Sequence, residues 1–171
     1  MFKEKKMKVK NDVYKVVALV LILDQLVKII IKRSMNLYQE IAIIPKFFSL
    51  CYVQNTGAAF SILEDATLLL IVVSVIFIIL IDNTVKKEYK NLSKLAIIST
   101  GMILGGIFGN LIDRILYRSV IDFISFSFGS YHFPIFNIAD IGITVGMVLL
   151  IIDMIKNKDQ KSKEDSHDWK V

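Results

Sequence analysis

Six polar residues crowd the ends of two apolar blocks: Asn110, Asp113 and Arg114 in GNLIDR, Asp122 in VIDF, and Asn137 and Asp140 in FNIAD. Carboxylates, amides and a guanidinium gathered in this way suit acid–base chemistry on a bond brought to them. Two carboxyl groups sharing one proton can hydrolyse an amide, the ionised one taking a proton from water while the protonated one polarises the carbonyl. A low-dielectric rim favours that state, because it disfavours ionising both. Helix ends at a membrane surface attract polar residues for purely structural reasons, so any one of the six alone is equivocal. Taken as a cluster they point to function.

Other chemistries lack their parts. No G-x-S-x-G surrounds a serine, and His132 and His167 stand in no H-E-x-x-H, so no metal or other cofactor is expected. Cys51 has no histidine near it in the chain and reads as a small buried apolar residue that, as a single cysteine, closes no disulfide. Asp24 and Lys28 lie four apart inside an apolar stretch, where an unpaired charge costs several kcal/mol. With the acid N-terminal to the base they form an ion pair on one helical face, a structural role rather than a chemical one.

The elements that must carry these residues are membrane helices. The chain has 171 residues, 54% hydrophobic, with a mean hydropathy of +0.58, and its apolar residues fall in blocks near 13–31, 66–81, 95–112 and 138–152. A helix needs about 20 largely apolar residues to cross a bilayer, so four spans are expected within one membrane domain, 1–155, followed by a charged, disordered cytoplasmic tail, 156–171. The lysine-rich start precedes a long first block without an A-x-A-like exit, which reads as an uncleaved span. Gly101, Gly105 and Gly109, and Gly142 and Gly146, recur at the four-residue spacing that lets helix backbones approach in lipid.

The net charge of +5 could suggest nucleic acid, but 15 of the 21 basic residues fall at the start, in the 82–94 loop and at the end. Alternate basic segments mark the cytoplasmic side, and the aromatic residues among them, Phe2, Tyr14, Tyr89 and Trp169, are too scattered to stack bases. Both termini are therefore expected inside, with the loops 32–65 and 113–137 outside. Those outer loops are rich in aromatic and β-branched residues at 43–53, 121–128 and 133–136, which fits either short strands at the membrane surface or interfacial anchors with no sheet.

The fragments together resemble the lipoprotein signal peptidases, the type II signal peptidases: D-Q-L-V-K at 24–28, N-T-G-A-A-F at 55–60, G-N-L-I-D-R at 109–114, V-I-D-F at 120–123 and F-N-I-A-D at 136–140. Each is weak alone; five in order cover most of the chain. The resemblance implies a four-transmembrane-helix bundle, all-α apart from a small extracytoplasmic β-cradle and a short outer helix. It implies an aspartic endopeptidase of the bacterial cytoplasmic membrane, its site near the outer leaflet. The substrates are prolipoproteins whose signal peptide ends at a diacylglyceryl-modified cysteine, and cleavage falls on the N-terminal side of that cysteine. The catalytic pair falls on Asp122 and Asp140, with Asn55, Gly57, Asn110, Asp113, Arg114 and Asn137 lining or supporting the site and Asp24 with Lys28 supporting the fold. Membrane lipids and the lipidated precursor are the implied partners of a monomer, and the loop around 55–60 is expected to close over the site. The family carries glycine where this chain has Arg118; if that glycine serves a positive φ, arginine demands a different turn. A rival reading, a small proton-coupled exporter, would need an acid deep in a span, and Asp24 alone offers itself.

Overall fold

The computed structural model describes residues 2–57 and 66–168. Helix α1 (Phe2–Ser34) leads into strands β1 (Glu40–Ile44) and β2 (Phe48–Asn55). Helices α2 (Thr67–Glu88) and α3 (Lys94–Tyr117) follow, then β3 (Val120–Phe128), β4 (Tyr131–His132) and α4 (Ile138–Asp168). The strands form one antiparallel sheet in the order β1-β2-β3-β4. Of the two readings left open for the outer loops, the strands are the one observed, with the chain reversing at Pro45–Phe47, where Lys46 takes φ 63°.

Among the described residues, three helices are long and apolar enough to cross a membrane: Thr67–Glu88, Lys94–Tyr117 and Ile138–Asn157. The apolar part of α1 carries Lys15, Asp24 and Lys28 and falls outside that count. Helices α1 and α3 outrun their apolar blocks at both ends, and α2 and α4 at their C-terminal ends; α1, with 33 residues, is about 50 Å long against a hydrocarbon core of about 30 Å. The tail expected to be disordered continues α4 as helix to Asp168. It contains neither glycine nor proline and is rich in Lys, so nothing in it breaks a helix already nucleated. A short outer helix does not occur among the described residues, and half of the expected 55–60 lid, residues 58–60, lies outside them.

Helix α3 is the central element, buried over 61% of its apolar window against 6% for α2. Its glycines explain why. A Cβ on Gly105 would sit 2.8 Å from Val20 Cβ of α1, and one on Gly106 would strike the Ala139 carbonyl oxygen of α4. Bare backbone on two faces thus lets α1 and α4 close on α3, where lipid-like side chains alone provide no hydrophobic drive. Val13, Val17, Val85 and Leu104 fill the core between α1, α2 and α3. A second core, Ile31, Met35, Tyr52, Ile121 and Phe123, bolts the sheet to the C-terminal end of α1. At the opposite end Ser93 caps α3 by accepting from Ala96 N and donates to Asp153 of α4 at 2.5 Å, while Asn157 donates to the other oxygen of Asp153.

The turn from α3 into β3 corrects one expectation. Arg118 ends the helix in the left-handed region, φ 59°, ψ 14°, its N–H donating to Arg114 O. The turn is the one a glycine would make; arginine adopts it at a steric cost instead of changing it. Thr67 Oγ donates to the Arg118 carbonyl at 2.9 Å and helps hold it there. Because a side chain in this conformation costs about 1 kcal/mol, Arg118→Gly is expected to raise the unfolding midpoint in detergent micelles. An unchanged or lower midpoint would show that the turn is unstrained.

Candidate active site

Asn137 is the N-cap of α4, and the reciprocal pattern of a capping box assembles around it. Asp140 N donates to Asn137 Oδ1 at 2.9 Å, and Asn137 N donates to Asp140 Oδ2 at 3.1 Å. The Asp140 carboxylate is thereby held at the positive end of a helix, where a negative charge is favoured. The other end of the Asn137 amide reaches β3, donating to Asp122 Oδ1 at 2.6 Å. One buried asparagine therefore spans the two aspartates.

Asp122 projects from β3 and is 3% exposed. Asn55, the last residue of β2, donates to its Oδ2 at 3.1 Å, a contact made possible because β2 pairs with β3 and sets Asn55 opposite Val120. Burial, and then the charge of Asp140, push the Asp122 carboxyl up to about 7, against the opposing pull of the Asn55 and Asn137 hydrogen bonds and of Lys28. A carboxyl that holds a proton near neutrality beside a second carboxyl is what shared-proton catalysis requires.

Both aspartates open on one groove of about 550 Å³. Its polar end is formed by Asn55, Asn110, Arg114, Asp122 and Asp140, and its apolar wall by Phe133–Phe136 and the α4 face bearing Ile141 and Val145. The Phe133–Phe136 segment is anchored by backbone bonds between Phe136 and Ile124, 2.8 Å and 3.1 Å. Arg114 donates to the Gly57 carbonyl at 3.2 Å and Gly57 N donates to Asn55 Oδ1, so the β2 exit is tied to α3 at the groove's edge.

Beneath the aspartates lies a buried ionic layer. Lys28 Nζ is 2.8 Å from Asp24 Oδ2 and 2.9 Å from Asp113 Oδ2, all three side chains at most 2% exposed. Asp113 also accepts from Ile121 N, and Asp24 from Ala139 N, so each carboxylate ties α1 or α3 to the backbone beside Asp122 or Asp140. The anticipated pair of Asp24 and Lys28 is thus a three-membered cluster. Sequence reading missed Gln25, which donates to Asp24, Gly109 O and Asp113. An amide one residue from a charged pair within an apolar block was the available signal.

The signal peptidase (SPase) II family model matches residues 16–156. The lipoprotein signal peptidase of Alteromonas mediterranea is 42% identical over 162 residues, covering 90% of this chain and 86% of the relative. That of Geobacter sulfurreducens is 43% identical over 83% of this chain and 90% of its own length. A solved bacterial membrane enzyme, determined by the in meso method at 2.3 Å resolution, superposes with a TM-score of 0.79 at 33% identity, over 87% of this chain and 90% of that one. Nothing among these relatives supports an exporter. The chain belongs to the signal peptidase II family.

Proposed function

We propose that this protein is a membrane-embedded aspartic endopeptidase in which Asp122 and Asp140 form the catalytic dyad. It removes the signal peptide from diacylglyceryl-modified prolipoproteins on the N-terminal side of the lipidated cysteine. The observation that carries the reading is the pair of carboxyl groups facing one groove, bridged by Asn137, with a proton retained on Asp122 near neutral pH. Water adds to the scissile carbonyl carbon; the ionised aspartate takes its proton and the protonated one gives a proton to the carbonyl oxygen. Collapse of the tetrahedral intermediate returns a proton to the leaving amine, with no covalent enzyme intermediate. The two carboxyls titrate as a unit.

Helix α1 serves as a fourth span. Its charged residues do not argue against this, because Asp24 and Lys28 face the bundle and not lipid. Both termini then lie on the cytoplasmic side, marked by their lysines, and the sheet and dyad lie at the outer leaflet. The apolar wall of the groove receives acyl chains at about 0.8 kcal/mol per buried methylene, which sets the bond beside the dyad in a monomeric enzyme. Asn55, Gly57, Asn110, Arg114 and Asn137 line the site and Asp113 supports it. Purified protein is expected to release the signal peptide from a lipidated precursor and to leave its unlipidated counterpart intact on a gel-shift assay. Equal cleavage of both would remove the lipid from the account, and cleavage of neither would end it.

A further inference from the structure

The ammonium of Lys28 has three N–H donors and the structure spends all of them: on Asp24, on Asp113, and at 3.0 Å on Asn110 Oδ1. The third is the informative one. An amide has an acceptor end and a donor end, and Lys28 offers only donors. Asn110 must therefore turn its oxygen to Lys28. Asn137 Nδ2 reinforces that choice by donating to the same oxygen at 3.1 Å. The Asn110 NH2 group is left pointing the other way, where it donates to Asp140 Oδ1 at 2.8 Å.

We propose that Lys28 is a positioning residue for the reaction: by fixing which end of the Asn110 amide faces Asp140, it sets the orientation of that carboxylate from two residues away. This rests on the reading of Asp122 and Asp140 as the dyad, and goes beyond a role for Lys28 in holding helices together. The contrast with Asp140's other support is physical. Asn137 is oriented by the start of its own helix, through Asp140 N, a local interaction that survives most distant changes. Asn110 lies mid-helix in α3 with no donor from its own helix, and its orientation comes from other elements, from the charged donor of Lys28 on α1 and from the neutral amide of Asn137. Without Lys28 the oxygen keeps only the neutral Asn137 donor, and the amide is freer to rotate and present its oxygen to the carboxylate, which repels an ionised Asp140 and leaves its Oδ1 without a donor.

Breaking the same ion pair from its two ends separates positioning from packing. Asp24→Asn removes the 2.8 Å ion pair but leaves Lys28 donating to Asn110. Lys28→Met removes both. On folded protein purified from each variant, Asp24→Asn is expected to keep kcat within about twofold of the parent. Lys28→Met is expected to lower kcat by about tenfold or more with KM little changed, since misplacing a catalytic group costs rate and not binding. Should Lys28→Met fail to fold, Asp24→Asn/Lys28→Met, which removes the two opposite charges together, is compared with Asp24→Asn, and the same tenfold gap in kcat is expected. Equal kcat for the two members of either comparison would overturn the proposal and leave Lys28 purely structural. Asp122→Asn is run alongside: activity there would defeat the dyad itself, whereas an inactive Asp122→Asn with an unimpaired lysine variant would defeat only the positioning role.

Discussion

Asp122→Asn and Asp140→Asn are each expected to lower kcat/KM for a lipidated precursor by about 10³-fold or more, the contribution expected of a positioned acid or base, while the protein remains inserted and folded. Asparagine keeps the shape of the carboxyl group, so the loss reports on the proton and not on packing. For the parent enzyme the rate should fall as pH rises through about 7, where Asp122 loses the proton it holds against burial and the Asp140 charge. Stability carries the same sign. Because the folded state holds this proton more tightly than the unfolded chain, the stabilisation is complete below the ordinary value of 3.8 and is lost as pH climbs to about 7. Asp122→Asn lacks this titration, so its advantage in unfolding midpoint over the parent should grow from pH 4 to pH 8 in micelles. A variant that cleaves normally, or a gap in midpoint that does not change with pH, would refute the assignment.

Asp113→Ala should be the most damaging change to the fold, at about 3–5 kcal/mol. The residue is fully buried and accepts three hydrogen bonds or ion contacts: from Lys28 at 2.9 Å, Gln25 at 3.0 Å and Ile121 N at 3.1 Å. Removing its carboxylate strands an amide N–H and leaves Lys28 with Asp24 as its one carboxylate partner, both at positions buried from solvent. Denaturant titration in micelles and the yield of monodisperse protein both read this loss. Asp113→Asn, which keeps an acceptor of the same shape, should cost less. Wild-type stability for the alanine variant would mean that the ionic layer is solvated.

Asn110, Asp113, Arg114, Asn137 and Asp140 were legible in the chain because each sits at an edge of an apolar block, where hydropathy alone makes a polar residue conspicuous, whereas Asn55 was named only through the family resemblance. The helices were legible for the same reason, since block length against bilayer thickness is a local quantity. Glycine spacing likewise foretold close approach of helix backbones, as Gly101 and Gly105 against Val16 and Val20 of α1 bear out, but not which helix would be the partner. Other features depended on partners distant in sequence. Whether residues 43–53 and 121–128 pair as strands depends on which segments meet, and whether α4 stops or runs on to Asp168 depends on a helix already nucleated upstream. Arg118 shows a third limit: a glycine-like turn is kept at a conformational cost, held by its own N–H to Arg114 O and by the hydrogen bond from Thr67, a residue distant in sequence. The orientation of the Asn110 amide is the clearest case. Composition and spacing name the residue, but which of its two ends faces Asp140 is decided by donors from α1 and from the start of α4, and a hydrogen-bond direction exists only once those donors are in place.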